Sequence, residues 1–117
     1  MIKYSLTYIF QNWYIVNMKN IPIDPKLLSR AAKKLRVLAH PDRLRIVETL
    51  RPRRLPVGEL AVRLGLPQAV ISKHLALLKN AGILASEADC NFRYYSLAGT
   101  NVLNVLNCIK KSCSKEA

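Results

Sequence analysis

From Pro25 onward, apolar residues recur at helical spacing and then give way to short β-prone runs. Leu27, Leu28, Ala31, Leu35 and Leu38 follow one another at three- and four-residue intervals, which predicts a helix from Pro25 to about Ala39. Asp24 can cap it, with Pro25 at its first position. His40-Pro41 breaks it, because a residue before proline avoids the α region. Pro41 opens a second helix, with Leu44, Val47 and Leu50 inward and Arg43, Arg45 and Arg51 outward, and Pro52 stops it. Leu55-Pro56-Val57 is long enough only for an edge strand, which tolerates a proline. Val57 to Ala81 then reads as two helices around Gly65. The first presents Leu60, Ala61 and Leu64; the second presents Ile71, Leu75 and Leu78, spaced i, i+4, i+7. Ala61 is small enough for a close helix crossing, Gly65 can take a positive φ, and Leu66 can plug the gap between the helices.

Gly82 ends the second of these helices. Ile83–Glu87 and Phe92–Leu97 flank a polar turn over Ala88–Asn91, which predicts a hairpin. From about Gly99 a last helix places Val102, Leu106, Ile109 and Cys113 on one stripe, with Val105 beside it. Asn101, Asn104 and Asn107 lie on another face, and Lys110, Lys111 and Lys115 suit the negative end of its dipole. The element order is α-α-α-α-β-β-α: mainly α with a small β-hairpin. Two helices around a glycine turn, followed at once by a hairpin, have the spacing of a winged helix-turn-helix, in which the second helix enters the DNA major groove.

Residues 1–20 differ in character. Met1 to Asn17 holds five of the eight aromatics, Tyr4, Tyr8, Phe10, Trp13 and Tyr14. We read 1–20 as an appended segment, disordered or the product of a mis-assigned start, since Met18 offers an alternative one. The sharper alternative is an aromatic strip that docks on the domain or on a partner subunit. Residues 21–117 form the DNA-binding and dimerisation domain in this reading. Its first and last helices carry more apolar surface than one small core needs, which suggests a homodimer interface; the plain alternative is that both complete the monomer core.

Charge sharpens the picture. Lys plus Arg number 19 against 7 Asp plus Glu, a net charge of +12 in 117 residues. Such an excess favours polyanions. No stretch approaches the roughly 18 apolar residues of a membrane span, and no secretory signal is evident. The three cysteines, Cys90, Cys108 and Cys113, are odd in number and do not suggest a disulfide framework, so a cytoplasmic location is expected. No carboxylate pair and no Ser or Cys with a His partner points to catalysis, so an enzyme is not expected.

The candidate DNA contacts follow from the helical wheel. Gln68, Ala69, Ser72 and Lys73 project from the first turns of the second helix, away from Ile71, Leu75 and Leu78. Gln68 can bond adenine bidentately, Ala69 can touch a thymine methyl, Ser72 can bond base or phosphate, and Lys73 phosphate or guanine. His74 faces partly inward, as a packed or phosphate-bonding group. Arg93 on the hairpin and Arg53 and Arg54 before the helix pair are expected to hold the DNA backbone, although Arg93 could instead pair with Glu87 or Asp89. The rival partner is RNA or an acidic protein, but only Phe92 and Tyr94 could stack on bases.

The runs Leu38-Ala39-His40-Pro41-Asp42-Arg43-Leu44-Arg45-Ile46, Val57-Gly58-Glu59-Leu60-Ala61, Leu64-Gly65-Leu66, Ile71-Ser72-Lys73-His74-Leu75, Ala81-Gly82-Ile83-Leu84 and Tyr94-Tyr95-Ser96-Leu97 resemble the ArsR/SmtB family of small bacterial winged-helix repressors. The resemblance covers roughly Leu27 to Ile109. It implies a homodimer on a palindromic operator that represses its own operon and is released by an effector or by thiol modification. There are departures. Where some relatives carry Cys-Val-Cys, this chain has Ala61-Val62-Arg63. The last helix has asparagines and cysteines where others have Asp and His ligands. Relatives often have serine at Pro67, and glycine and arginine at Cys90 and Asn91. A tetrahedral metal site needs about four ligands. Cys108 and Cys113 stand about 140° apart on a helix, so no ready pair exists. Ligands shared across a dimer, or with Cys90, leave a metal ion open, but no cofactor is expected. Cys90, Cys108 and Cys113 are the candidates for thiol sensing, and Cys90, an exposed thiol at the wing tip, is the leading one. Small apolar packing is the plain alternative for Cys108 and Cys113.

Overall fold

The computed structural model describes residues 23–114. The expectations for residues 1–20 lie outside this range. The chain divides into two compact units, Met1–Ala32 and Lys33–Ala117. Of the first, Ile23–Ala32 are described.

Helix α1, Pro25–Leu38, begins as expected: the Asp24 carboxylate accepts a hydrogen bond from the Lys26 amide at 3.0 Å. Leu38 is the only fully buried residue of α1, and Leu27 and Leu35 are 53% and 52% exposed. Helix α2, Pro41–Thr49, is capped by His40. Its backbone is extended (φ −151°), as proline demands of its predecessor, and its Nδ1 accepts from the Asp42 amide at 3.1 Å. Val47 and Leu50 are buried as the periodicity predicts; Ile46, missed in that stripe, is fully buried too.

Strand β1, Leu55–Pro56, leads into α3, Val57–Leu64. Gly65 ends α3 at φ 68°, ψ 31°, and its amide and that of Leu66 both reach the Ala61 carbonyl. Leu66 packs against the core. Helix α4, Gln68–Asn80, starts from Pro67. That proline occupies the cap position itself, and no side chain caps the helix. Gly82, at φ 77°, lets the Ile83 amide return to the Leu78 carbonyl at 3.0 Å. Ile71, Leu75 and Leu78 of α4 are fully buried with Leu60 of α3 and Ile46 and Val47 of α2, and form the centre of the core. This triangle of helices sets the orientation of α4, because each helix buries the stripe that the other two need.

Strands β2, Leu84–Asp89, and β3, Phe92–Leu97, form the predicted hairpin, but its turn is two residues, Cys90-Asn91, and not the expected four, because Ala88 and Asp89 pair with Arg93 and Phe92. β1 adds to β3 on the other side (Leu55 opposite Tyr95, Pro56 opposite Tyr94), so the sheet is antiparallel with order β1-β3-β2. Pro56 therefore sits on an edge, where its missing N–H costs no ladder bond. Helix α5, Asn101–Ser114, buries only Leu106 fully, with Val102 and Leu103 packed beside it. Val105, Ile109, Cys108 and Cys113 are exposed, so the cysteines are not core packing residues. Among the described residues no helix is long and apolar enough to cross a membrane.

Candidate nucleic-acid interface

The buried stripe of α4 turns its other side outward. Gln68, Ala69, Ser72 and Lys73 are all exposed, and among the described residues Gln68, Ser72 and Lys73 have no side-chain hydrogen bond or ion pair. One face thus offers an amide, a methyl, a hydroxyl and an ammonium in two turns, all uncommitted.

His74 lies at the border of this face and is half-buried. Its ring stands 4.8 Å from that of His40, and its Nδ1 accepts from Arg43 Nε at 3.2 Å. Burial, helped by the neighbouring His40 and Arg43, holds the His74 pKa below the ordinary histidine value. Arg43 also donates to the Val37 carbonyl at 3.0 Å, so it ties α1 and α2 to α4 and does not point to solvent as the sequence suggested. Arg45 likewise donates to the Leu64 carbonyl at the C-terminus of α3.

His40, Asp42 and His74 offer ligand atoms that all lie within 4.8 Å of one another. Their hydrogen bonds do not suit a metal ion. Both imidazoles accept at Nδ1, so the neutral rings carry their protons on Nε2. A cation would have to displace either the α2 cap or Arg43. The cluster fits a capping and packing role.

The basic residues before α3 are more occupied than their sequence density suggests. Arg51 bonds both Glu48 oxygens and Asn107, and Arg51 with Lys110 keeps the Glu48 carboxyl below its usual pKa. Arg53 stands 3.8 Å from Glu59. Arg54 reaches Glu87 at 2.5 Å and Asp89 at 2.7 Å, with its guanidinium 4.3 Å from the centre of the Tyr94 ring. Sequence reasoning missed this clamp. Its signal was the i, i+2 spacing of Glu87 and Asp89, which puts both on one side of a strand. Because Arg54 takes these acids, Arg93 does not. Arg93 is exposed and, among the described residues, its side chain bonds only Ser86 Oγ, at 3.1 Å. Five of the six described acidic residues are in ion pairs, while Lys73, Lys79 and Arg93 are in none.

At the hairpin tip Cys90 is exposed and has φ 56°, the left-handed region that glycine adopts without strain.

A core-seated helix with a bare outer face, followed by a hairpin bearing an unpaired arginine, defines a winged helix-turn-helix regulator. A family model described as a helix-turn-helix domain matches residues 38–87. The HTH-type transcriptional regulator NmtR of Mycobacterium tuberculosis is 34% identical over 91 residues, 78% of this chain and 76% of its own. The crystal structure of Rv0081 from M. tuberculosis superposes with a TM-score of 0.69 at 34% identity, covering 76% of this chain and 90% of that one. The homodimeric winged helix-turn-helix DNA-binding domain of Mb0332 from Mycobacterium bovis, described as a possible ArsR-family regulator, shares the fold at 24% identity (TM-score 0.71; 78% of this chain, 84% of that one). The chain belongs to the ArsR/SmtB family of winged helix-turn-helix transcriptional regulators.

Proposed function

We propose that this regulator is a cytoplasmic, non-enzymatic homodimer that represses its own operon from a palindromic operator, with α4 as the base-reading helix. The observation that carries this is the uncommitted face of Gln68, Ala69, Ser72 and Lys73 on a helix whose opposite stripe is fully buried. Gln68 and Ala69 read bases; Ser72 and Lys73 bond base or phosphate. Arg93 meets the backbone at the wing. Arg53, 65% exposed beside Glu59, is a secondary phosphate contact. His74 supports the reading helix through Arg43 and His40 and contacts no base. The exposed Leu27, Leu28 and Leu35 of α1 and Val105 and Ile109 of α5 support self-association through the first and last helices, as does the homodimeric state named for Mb0332. A dimer would set two reading helices about one DNA turn apart. Release by an effector or by oxidation of the exposed Cys90, Cys108 or Cys113 completes the cycle.

The test uses a palindromic duplex selected from a random pool by the wild-type protein, alongside random duplex and structured RNA, across a salt titration. Gln68→Ala should lose roughly 5- to 150-fold on the selected duplex, the worth of one bidentate base contact, and little on random DNA. Equal losses on both duplexes would sink the base-reading role. Tighter binding to RNA than to any duplex would favour the RNA reading instead.

A further inference from the structure

The outer half of the hairpin has little to hold it. Ile83 and Leu84 anchor its base, but Glu87 through Arg93 are all exposed. Among the described residues, the one side-chain tie from this half to anything outside the hairpin is Arg54. The geometry of that tie is specific. Arg54 immediately precedes β1, which lies at one edge of the sheet, while Glu87 and Asp89 lie on β2 at the other. The guanidinium therefore crosses over β3. It lies on Tyr94, which stands opposite Glu87 in the register, and bonds one oxygen of each acid. A planar fork with several donors suits such a two-acid grip, and a lysine would not reproduce it. The electrostatics follow. Two carboxylates on a wing would repel DNA phosphates, and Arg54 offsets half of that charge while holding both acids. Phe92, opposite Asp89, lies on the same side of the hairpin; Arg93 and its partner Ser86 lie on the other.

We propose that Arg54 is a positioning residue of the wing. It sets the pitch of the hairpin and draws Glu87 and Asp89 into ion pairs on one side of it, so that on the wing Arg93 is the side chain that presents positive charge to DNA. Arg54 itself touches no phosphate, contrary to the role its place in a basic run suggests. The proposal rests on the DNA-binding reading, but its structural half can be tested without DNA.

The first measurement is amide hydrogen exchange on the full chain. In Arg54→Ala, residues 85–94 should exchange at least several-fold faster than in wild type, while α4 keeps its protection. Unchanged exchange in the hairpin overturns the clamp. The second is a binding cycle on the selected duplex, comparing wild type, Arg54→Ala, Glu87→Gln/Asp89→Asn and the triple variant. A positioning role predicts that Arg54→Ala weakens binding when the acids are present and costs much less when they are gone. It also predicts that the slope of log K against log salt does not fall in Arg54→Ala. A direct phosphate contact predicts the same loss in both backgrounds and a slope smaller by about 0.9; that result overturns the proposal. If wild type binds no duplex at all, the proposed function fails, and the exchange result alone decides the clamp.

Discussion

Helix α4 and the wing are held in place by different physics. α4 is seated by Ile71, Leu75 and Leu78, each with no exposed surface, and its outward polar groups are uncommitted. The wing buries almost nothing beyond Leu84, and its position depends on an exposed three-group ion cluster at Arg54. Hydrophobic burial is not weakened by charge screening and leaves the polar face free for a ligand. Exposed ion pairs are individually weak and salt-screened, and they consume the charge that a ligand would otherwise meet. Under the proposed function, this pairs a stiff base reader with an adjustable backbone clamp. Any signal that acts through the wing has little packing to overcome.

The comparison can be broken most severely from the core side. Leu75→Ala should cost about 2–5 kcal/mol of folding stability, since the site lies among α2, α3 and α4 and cannot collapse freely. A urea denaturation midpoint that barely moves would show that burial does not seat α4. On the wing the largest gain should come from Cys90→Gly. A side chain at φ 56° costs roughly 1–2 kcal/mol relative to glycine, so this variant should melt several degrees higher. Equal melting temperatures would mean that the turn relaxes without strain. Arg93→Ala should weaken selected and random duplex alike and lower the salt slope by about 0.9, with folding stability unaltered. A loss confined to the selected sequence would make Arg93 a base reader.

The smallest expected effect is pH-linked. The His74 pKa in the fold lies below its ordinary 6.5, because burial, His40 and Arg43 disfavour the imidazolium. The unfolded chain therefore takes up this proton first as pH falls. The stability that neutral His74 supplies is intact above about pH 6.5, declines as pH drops below that value, and stops declining once the folded ring is protonated too. Denaturation midpoints between pH 8 and pH 5 should show this loss, and His74→Asn should flatten it. An identical pH profile in the variant would assign the loss to other groups.

Much of this was legible in the chain itself. The helices, the Gly65 and Gly82 turns and the edge position of Pro56 follow from local chemistry: the spacing of apolar residues, and the φ and N–H constraints of glycine and proline. The wing tip does not, because Ala88 and Asp89 read as turn residues yet continue the ladder of β2. The face of Gln68 to Lys73 follows as well, because a helix with Ile71, Leu75 and Leu78 inside has only one way to turn the remaining residues. The fates of the arginines were not legible. Arg43, Arg51 and Arg54 read alike as basic surface, yet Arg43 caps a histidine from within, Arg51 joins α2 to α5, and Arg54 grips the wing. A guanidinium at the end of a flexible side chain chooses its partner by through-space distance, and acids 33 and 35 residues away become neighbours only once the sheet has formed. The same holds for α1 and α5. Their periodicity shows which face is apolar, but only the packed core, closed by Leu38 and Leu106, decides how much of that face it can cover.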